Sequence, residues 1–191
     1  MRGLSYVLAA SLVTMAALLI VPLFMRADWH AERSISIAAT PERLWPWLAE
    51  VRRWPEWTAW SKERDPTLEI EPLGPAMGPG AAVAFKGKTM GRVVLQIAAA
   101  TQPTLLDYEL RLGSSERTSQ GRILLRPEGD STRVSWRVGG SVGLNPVLRF
   151  MLPFLEESFA ADLDQGLRTL KKRVELVDVQ HNDASNQAPV R

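Results

Sequence analysis

From Phe154 to Val177 the chain places Leu155, Phe159, Leu163, Leu167, Leu170, Val174 and Val177 at steps of three and four, which puts them on one face of an α-helix. Glu157, Asp164, Arg168, Lys171, Lys172 and Glu175 fall on the other side and face water. Pro153 suits a first helical position, Glu156 and Glu157 suit the positive N-terminal end, and Lys171, Lys172 and Arg173 suit the negative C-terminal end. At about 1.5 Å per residue such a helix exceeds ~30 Å, too long to bury its stripe alone. The segments before it read mostly as strands, so a helix laid across a curved sheet is the expected solution.

Those strands show in the alternation of side chains. Ser34-Ile35-Ser36-Ile37-Ala38 alternates polar and apolar, and Thr40-Pro41-Glu42 then starts a helix that Pro46 should shorten or kink, with a second short turn around Arg52 to Trp57. Alternation resumes at Leu68-Glu69-Ile70-Glu71, and after a loop at 74–80 four or five further strands follow, separated by turns near Gly87, Pro103, Gly113 and Gly129. One row of side chains reads Leu68, Ile70, Val83, Phe85, Val93, Leu95, Ile97, Leu106, Tyr108, Leu110, Ile123, Leu125, Val134, Trp136 and Val138. The other holds Glu69, Glu71, Arg92, Gln96, Asp107, Glu109, Arg111, Arg122, Arg126, Arg133 and Arg137. Because side chains change face at every residue, the first row points to the core and the second to water.

Leu4 to Met25 contains no charged side chain and is bracketed by Arg2 and Arg26, and about 20 apolar residues suffice to cross a bilayer core. A cleaved signal peptide would have a shorter apolar region and a small-x-small site, so residues 1–26 are expected to form a single transmembrane anchor. Residues 27–33 read as a linker, 34–177 as the folded domain, and the polar stretch 178–191 as a disordered tail. Trp29 is either a headgroup-level aromatic or an ordinary linker residue. Arg2 favours a cytoplasmic N-terminus while Arg26 and Arg33 pull the other way, and a short tail before an uncleaved span leans toward an extracytoplasmic domain in the cell membrane.

Twenty-three basic residues against 21 acidic ones leave a formal charge of +2, and the charges alternate in sign along most segments, which argues against nucleic acid as a partner. The absence of cysteine excludes disulfides, thiolate zinc sites and cysteine nucleophiles. His30 and His181 both lie outside the expected core, which disfavours a histidine triad or a His-based metal site, so no catalytic residue, metal or cofactor is assigned. Asp107 and Glu109 share a strand face, but it is the wet one, and the glycine-rich loop 74–80 lacks the Lys-Ser/Thr of a phosphate loop.

The order strand, two short helices, long meander and closing helix resembles the helix-grip fold of the START-like superfamily, in its polyketide cyclase/dehydrase-like (SRPBCC) branch. Three stretches carry the resemblance: Ile35-x-Ile37-x-x-Thr40-Pro41-Glu42-x-Leu44-Trp45, Arg53-Trp54-Pro55-Glu56-Trp57-x-x-Trp60, and Phe159-x-x-x-Leu163-x-x-Gly166-Leu167-x-x-Leu170. The expected class is therefore α+β, a curved antiparallel sheet wrapped around a long C-terminal helix, preceded by a transmembrane helix. Similar family members bind lipids, quinones, polyketides or hormones, so the resemblance implies a hydrophobic small molecule or lipid as partner.

A concave apolar sheet closed by an amphipathic helix either packs solid or encloses a pocket. Phe85, Leu95, Tyr108, Trp136, Met151, Phe154, Phe159 and Leu163 are the expected lining, with plain core packing as the competing role of each. Gly166, on the inward stripe, either lets a strand approach or leaves room for a ligand. Trp45, Trp47, Trp54, Trp57 and Trp60 either plug the end of the sheet or rest on the bilayer. Three functions stay open: a membrane-anchored carrier of a hydrophobic molecule, a cyclase or dehydratase needing an inward acid or base, and a protein-interaction module whose cavity has collapsed.

Overall fold

Extended chain begins at Asp28, ahead of the stretch whose alternation is clearest. In the computed structural model, which describes residues 2–113 and 118–186, β1 (Asp28–Ile37) pairs along its whole length with β7 (Ser131–Ser141). The segment expected as a linker is thus half of a strand, with Trp29 and Ala31 buried between exposed His30 and Glu32. The remaining strands are β2 (Glu69–Pro72), β3 (Ala82–Gly87), β4 (Gly91–Thr101), β5 (Leu105–Leu112) and β6 (Thr118–Glu128). They complete one antiparallel, curved seven-stranded sheet in the order β1-β7-β6-β5-β4-β3-β2.

Between β1 and β2 the chain forms α2 (Pro41–Ala49) and a 3-10 turn, Val51–Glu56. Pro46 does not end α2 at once: its ring is exposed, and its carbonyl accepts from the Glu50 N–H at 3.3 Å to close the last turn. After β7, Asn145 caps α3 (Pro146–Phe150) by accepting from the Leu148 N–H at 3.0 Å. Helix α4 (Leu152–Asn186) then lies across the sheet, against β1 and β7, burying Ala160, Leu163, Leu167, Leu170 and Val174. It continues nine residues past Val177 into the stretch expected as tail, and residues 187–191 lie outside those described.

Side-chain parity follows the sequence pattern in β3 to β7, where every member of the apolar row is buried and the charged row is exposed or half-buried. Ile70 is the exception. It sits on the four-residue edge strand β2, in an open cleft bordered by Pro55 and by Gln165 and Thr169 of α4.

The N-terminal segment also departs from expectation. Helix α1 (Arg2–Ile20) stops short of Met25, and a 3-10 turn, Val21–Phe24, follows. Among the described residues, no helix is long and apolar enough to cross a membrane. Pro22 is the physical reason for the early stop, since it has no N–H to continue the ladder. The carbonyls of the turn are taken up elsewhere: the buried Arg149 guanidinium of α3 donates to Pro22 O (3.4 Å), Leu23 O and Met25 O (3.2 Å), and to Gly143 O (2.7 Å). A second tie joins Arg26 to Glu156 of α4, whose carboxylate also accepts from the His30 N–H at 3.1 Å. The Arg26 contact, ahead of the other hydrogen bonds, holds the Glu156 carboxyl below its usual range.

Asp65 staples the loop before β2 to the β3–β4 turn. Its buried carboxylate accepts from the Thr67 hydroxyl (2.6 Å) and from the backbone N–H groups of Thr67 (3.0 Å), Thr89 (2.8 Å) and Met90 (3.1 Å). Gly87 leaves the space, since a Cβ there would lie 2.2 Å from Asp65 Oδ2. The Thr67 hydroxyl, followed by the Thr89 and Met90 amides, lowers the carboxyl from 3.8 to about 2, against the upward pull of burial. A carboxyl depressed on folding stabilises the fold fully above its unfolded value, and the contribution is lost as pH falls through the folded one. Asp65→Asn should therefore melt lower than wild type at pH 7, with the gap closing between pH 4 and 2; thermal unfolding across that range checks it.

Candidate functional site

The space between the first half of α4 and strands β5 to β7 holds aromatic rings. Trp54 lies edge-on to Tyr108 with centroids 4.9 Å apart, Trp57 tilts against Trp136 at 5.0 Å, and Trp60 stacks on Phe85 at 5.8 Å. Their polar atoms are mostly spent on carbonyls nearby: the Trp54 indole N–H donates to Leu48 O (2.9 Å) and that of Trp57 to Trp47 O (3.1 Å). Trp45, Trp47, Trp54 and Trp57 are buried, so they plug the sheet rather than rest on a bilayer. Trp29 is likewise no headgroup-level aromatic, because its ring is buried and stacked on Phe159 at 4.4 Å.

What the rings leave open is a cavity of about 40 Å³ lined by Thr58, Ala59, Trp60, Tyr108, Leu110, Trp136, Val138, Phe159, Asp162 and Leu163. Of the residues the sequence nominated, Tyr108, Trp136, Phe159 and Leu163 meet there. Phe85 and Leu95 are buried one layer away, and neither borders it. Met151 and Phe154 do not belong to the interior at all, being 47% and 70% exposed. The helical phase explains this: α3 ends at Phe150 and α4 starts at Leu152, so Met151 falls at the break and Phe154 on the outer side of α4's first turn. Gly166 leaves room for neither a strand nor a ligand. A Cβ at this position would lie 2.9 Å from the Trp136 ring and 3.3 Å from the Trp57 carbonyl, so the glycine admits the tryptophans.

Tyr108 brings an unused hydrogen-bond donor to the cavity wall. It is 1% exposed, its oxygen accepts from the Trp136 indole N–H at 2.6 Å, and no acceptor for its own proton is found among the described residues. Gly121 on the neighbouring strand makes the ring's position available, since a Cβ there would lie 1.9 Å from it. Burial pushes the phenol well above its ordinary value, so it stays protonated and acts as a donor. Trp60 and Phe159 are only half-buried and form the outer wall of the cavity.

The ionisable side chains lie outside. Asp107 accepts from Arg122 Nε at 2.6 Å and Nη2 at 3.0 Å, beside an open polar hollow on the sheet's outer face. Glu109 and Arg111 share that face. Asp162, at the cavity's rim, is the one carboxylate that reaches it among the described residues, and Arg64 holds it at 2.6 Å. No group of three or more His, Cys, Asp or Glu able to hold a metal occurs among the described residues.

Two elements escaped sequence reasoning: Arg149, one cation in an apolar stretch, and Asp65, whose partners sit 24 and 25 residues away. The Asp65-x-Thr67 spacing is the local signal that could have found the second. The interior packing predicts that Gly166→Leu loses about 1–3 kcal/mol by overpacking, whereas Gln165→Leu on the exposed flank of α4 stays near wild type, measured by chemical denaturation.

Compared with known proteins, residues 28–175 match the model of a family described as polyketide cyclase / dehydrase and lipid transport. Among solved structures, TTHA0849 from Thermus thermophilus aligns with a TM-score of 0.58 at 14% identity, covering 78% of this chain and 98% of that one. CV1439 from Chromobacterium violaceum gives 0.55 at 16% identity, with 76% and 96% covered. Ara h 8.0201 gives 0.55 at 19% identity, with 77% and 97% covered. At these identities the likeness is one of fold. No curated protein matches the chain.

Proposed function

From the premise that the chain belongs to the polyketide cyclase/dehydrase and lipid-transport family, we propose that its domain holds a small hydrophobic molecule between α4 and β5–β7 by non-covalent contacts. The observation that carries this reading is the Tyr108 hydroxyl, buried, already accepting from Trp136, and with a proton still to give at the wall of an apolar cavity. A buried donor without an acceptor costs about 1–3 kcal/mol, which an oxygen on the guest would recover. The guest is therefore an apolar molecule with one carbonyl or hydroxyl oxygen at its inner end. Established small-molecule sites occupy ~300–1,000 Å³, so the wall must move. Half-buried Trp60 is the side chain whose outward swing would join the cavity to solvent.

The apolar N-terminus supports a membrane setting. On α1 every described side chain is exposed, on all sides of the helix, and an all-round apolar helix is stable only when something apolar surrounds it. We place residues 4–25, which take in most of α1 and the 3-10 turn after it, in contact with a bilayer.

A second reading, a protein-interaction module, is favoured by the near-filled interior, in which tryptophans occupy the space a guest would need. Titrating the full chain in detergent with 1-naphthol, followed by tryptophan fluorescence, separates the two. The carrier reading expects binding by wild type, tighter binding by Trp60→Ala, and about tenfold weaker binding by Tyr108→Phe, the equivalent of ~1.4 kcal/mol. Absence of binding by both wild type and folded Trp60→Ala would leave the interaction module standing.

A further inference from the structure

Between Gly139 and Leu155 the sequence has a single charged residue, Arg149, and between Gly3 and Met25 it has none. The fold brings these two stretches together at one end of the domain. Helix α3 packs on the 3-10 turn Val21–Phe24 and touches α1, and the one cation of the region is buried on that turn's carbonyls. The surface of this end therefore carries no charge from either stretch among the described residues. It shows Leu144, Val147, Phe150, Met151 and Phe154, all exposed. Between α1 and α3 runs a groove of about 470 Å³, lined by Leu18, Val21, Met25, Val147 and Phe150 among others, whose one polar side chain is Thr14. Charge resumes immediately beyond, at Arg26, Asp28, Glu156 and Glu157.

From this arrangement we infer that α3 and the first turn of α4 form a second membrane-contacting element, seated in the acyl region of the same bilayer as α1. The inference rests on the membrane setting of α1 argued above. A bilayer is the occupant that fits an apolar surface continuous with an apolar helix and rimmed by charged side chains, since the rim matches the headgroup level. Soluble proteins rarely leave so contiguous an apolar patch in water. Arg149 ties the two together: by donating to the carbonyls of Pro22, Leu23 and Met25, it holds the 3-10 turn that follows α1 against α3, so that both enter the bilayer as one body and the domain stands at a fixed tilt on the surface. The groove between them accepts an acyl chain.

The absence of cysteine makes the test clean, because each introduced thiol is the one labelled site. The full chain is reconstituted in phosphatidylcholine vesicles with an environment-sensitive NBD label at Phe150→Cys, Phe154→Cys, Leu12→Cys or Asp130→Cys, the last in the β6–β7 turn at the opposite end of the sheet. The four positions are surface turns or exposed helix faces, and circular dichroism confirms each fold. The expected result is a blue-shifted emission at 12, 150 and 154 that is quenched by doxyl-labelled lipid and protected from aqueous iodide, with the reverse at 130. If 12 responds and 150 and 154 behave like 130, this inference fails while the anchoring of α1 stands. If none responds to the lipid quencher, the anchoring itself fails and takes this with it. Labels at 150 and 154 shielded from both quenchers until the protein is diluted would put a second copy there and would equally overturn the bilayer as occupant.

Discussion

A strand whose side chains alternate can offer only one of its two rows to the helix above it. In β3 to β7 the row offered to α4 is mostly buried apolar side chains from Val83 to Val138, interrupted by Ser119 and by Thr132, whose buried hydroxyl donates to Ala39 O at 2.7 Å. The rest of the molecule follows from that arrangement. Carboxylates and guanidiniums one residue away have to point outward, where Asp107 and Arg122 pair in water at little gain, typically ~0–1 kcal/mol for an exposed pair. The cavity under α4 is left with dispersion, ring packing, and the hydroxyls of Tyr108 and Thr58. An acid or base for covalent chemistry would have to enter from the rim, where Asp162 is already held by Arg64.

Filling the interior with indoles creates a second requirement, that each N–H find a carbonyl or hydroxyl. The backbone of α2 meets it for Trp54 and Trp57, through Leu48 and Trp47, and Tyr108 meets it for Trp136. Glycine at 166 and at 121 is the steric counterpart, each lacking a Cβ where a ring passes. Tyr108 is thus supported from two sides and aimed at the remaining space. The same scaffold can be read as a closed carrier or as a solid module, and the difference lies in whether Trp60 moves.

The alternation of Leu95, Ile97, Tyr108, Leu110, Trp136 and Val138 was legible because strand parity is local, with a period of two that any neighbour pair reveals. The stripe of α4 was legible for the same reason, at a period near four. The rest depends on partners distant in sequence. Trp29 looks like a linker residue until Phe159, 130 residues later, stacks on it. Phe154 has the right composition for a core, but its place on α4 is decided by where α3 breaks, just ahead of Pro153, which has no N–H to carry the ladder across. Arg149 is silent in the sequence because its partners are backbone carbonyls, which carry no residue signature. Pro22, by contrast, was a visible stop signal within an apolar run that was long enough on composition alone.

Equilibrium unfolding of two adjacent substitutions on β5, Leu110→Lys and Glu109→Leu, bears most directly on this account. A lysine at the buried position is left without a partner and should lose about 3–5 kcal/mol, while a leucine on the outer row should stay within about 0.5 kcal/mol of wild type. Equal losses, or a greater loss at 109, would mean that the charged row lies beneath α4, and the apolar interior on which the carrier reading depends would be contradicted.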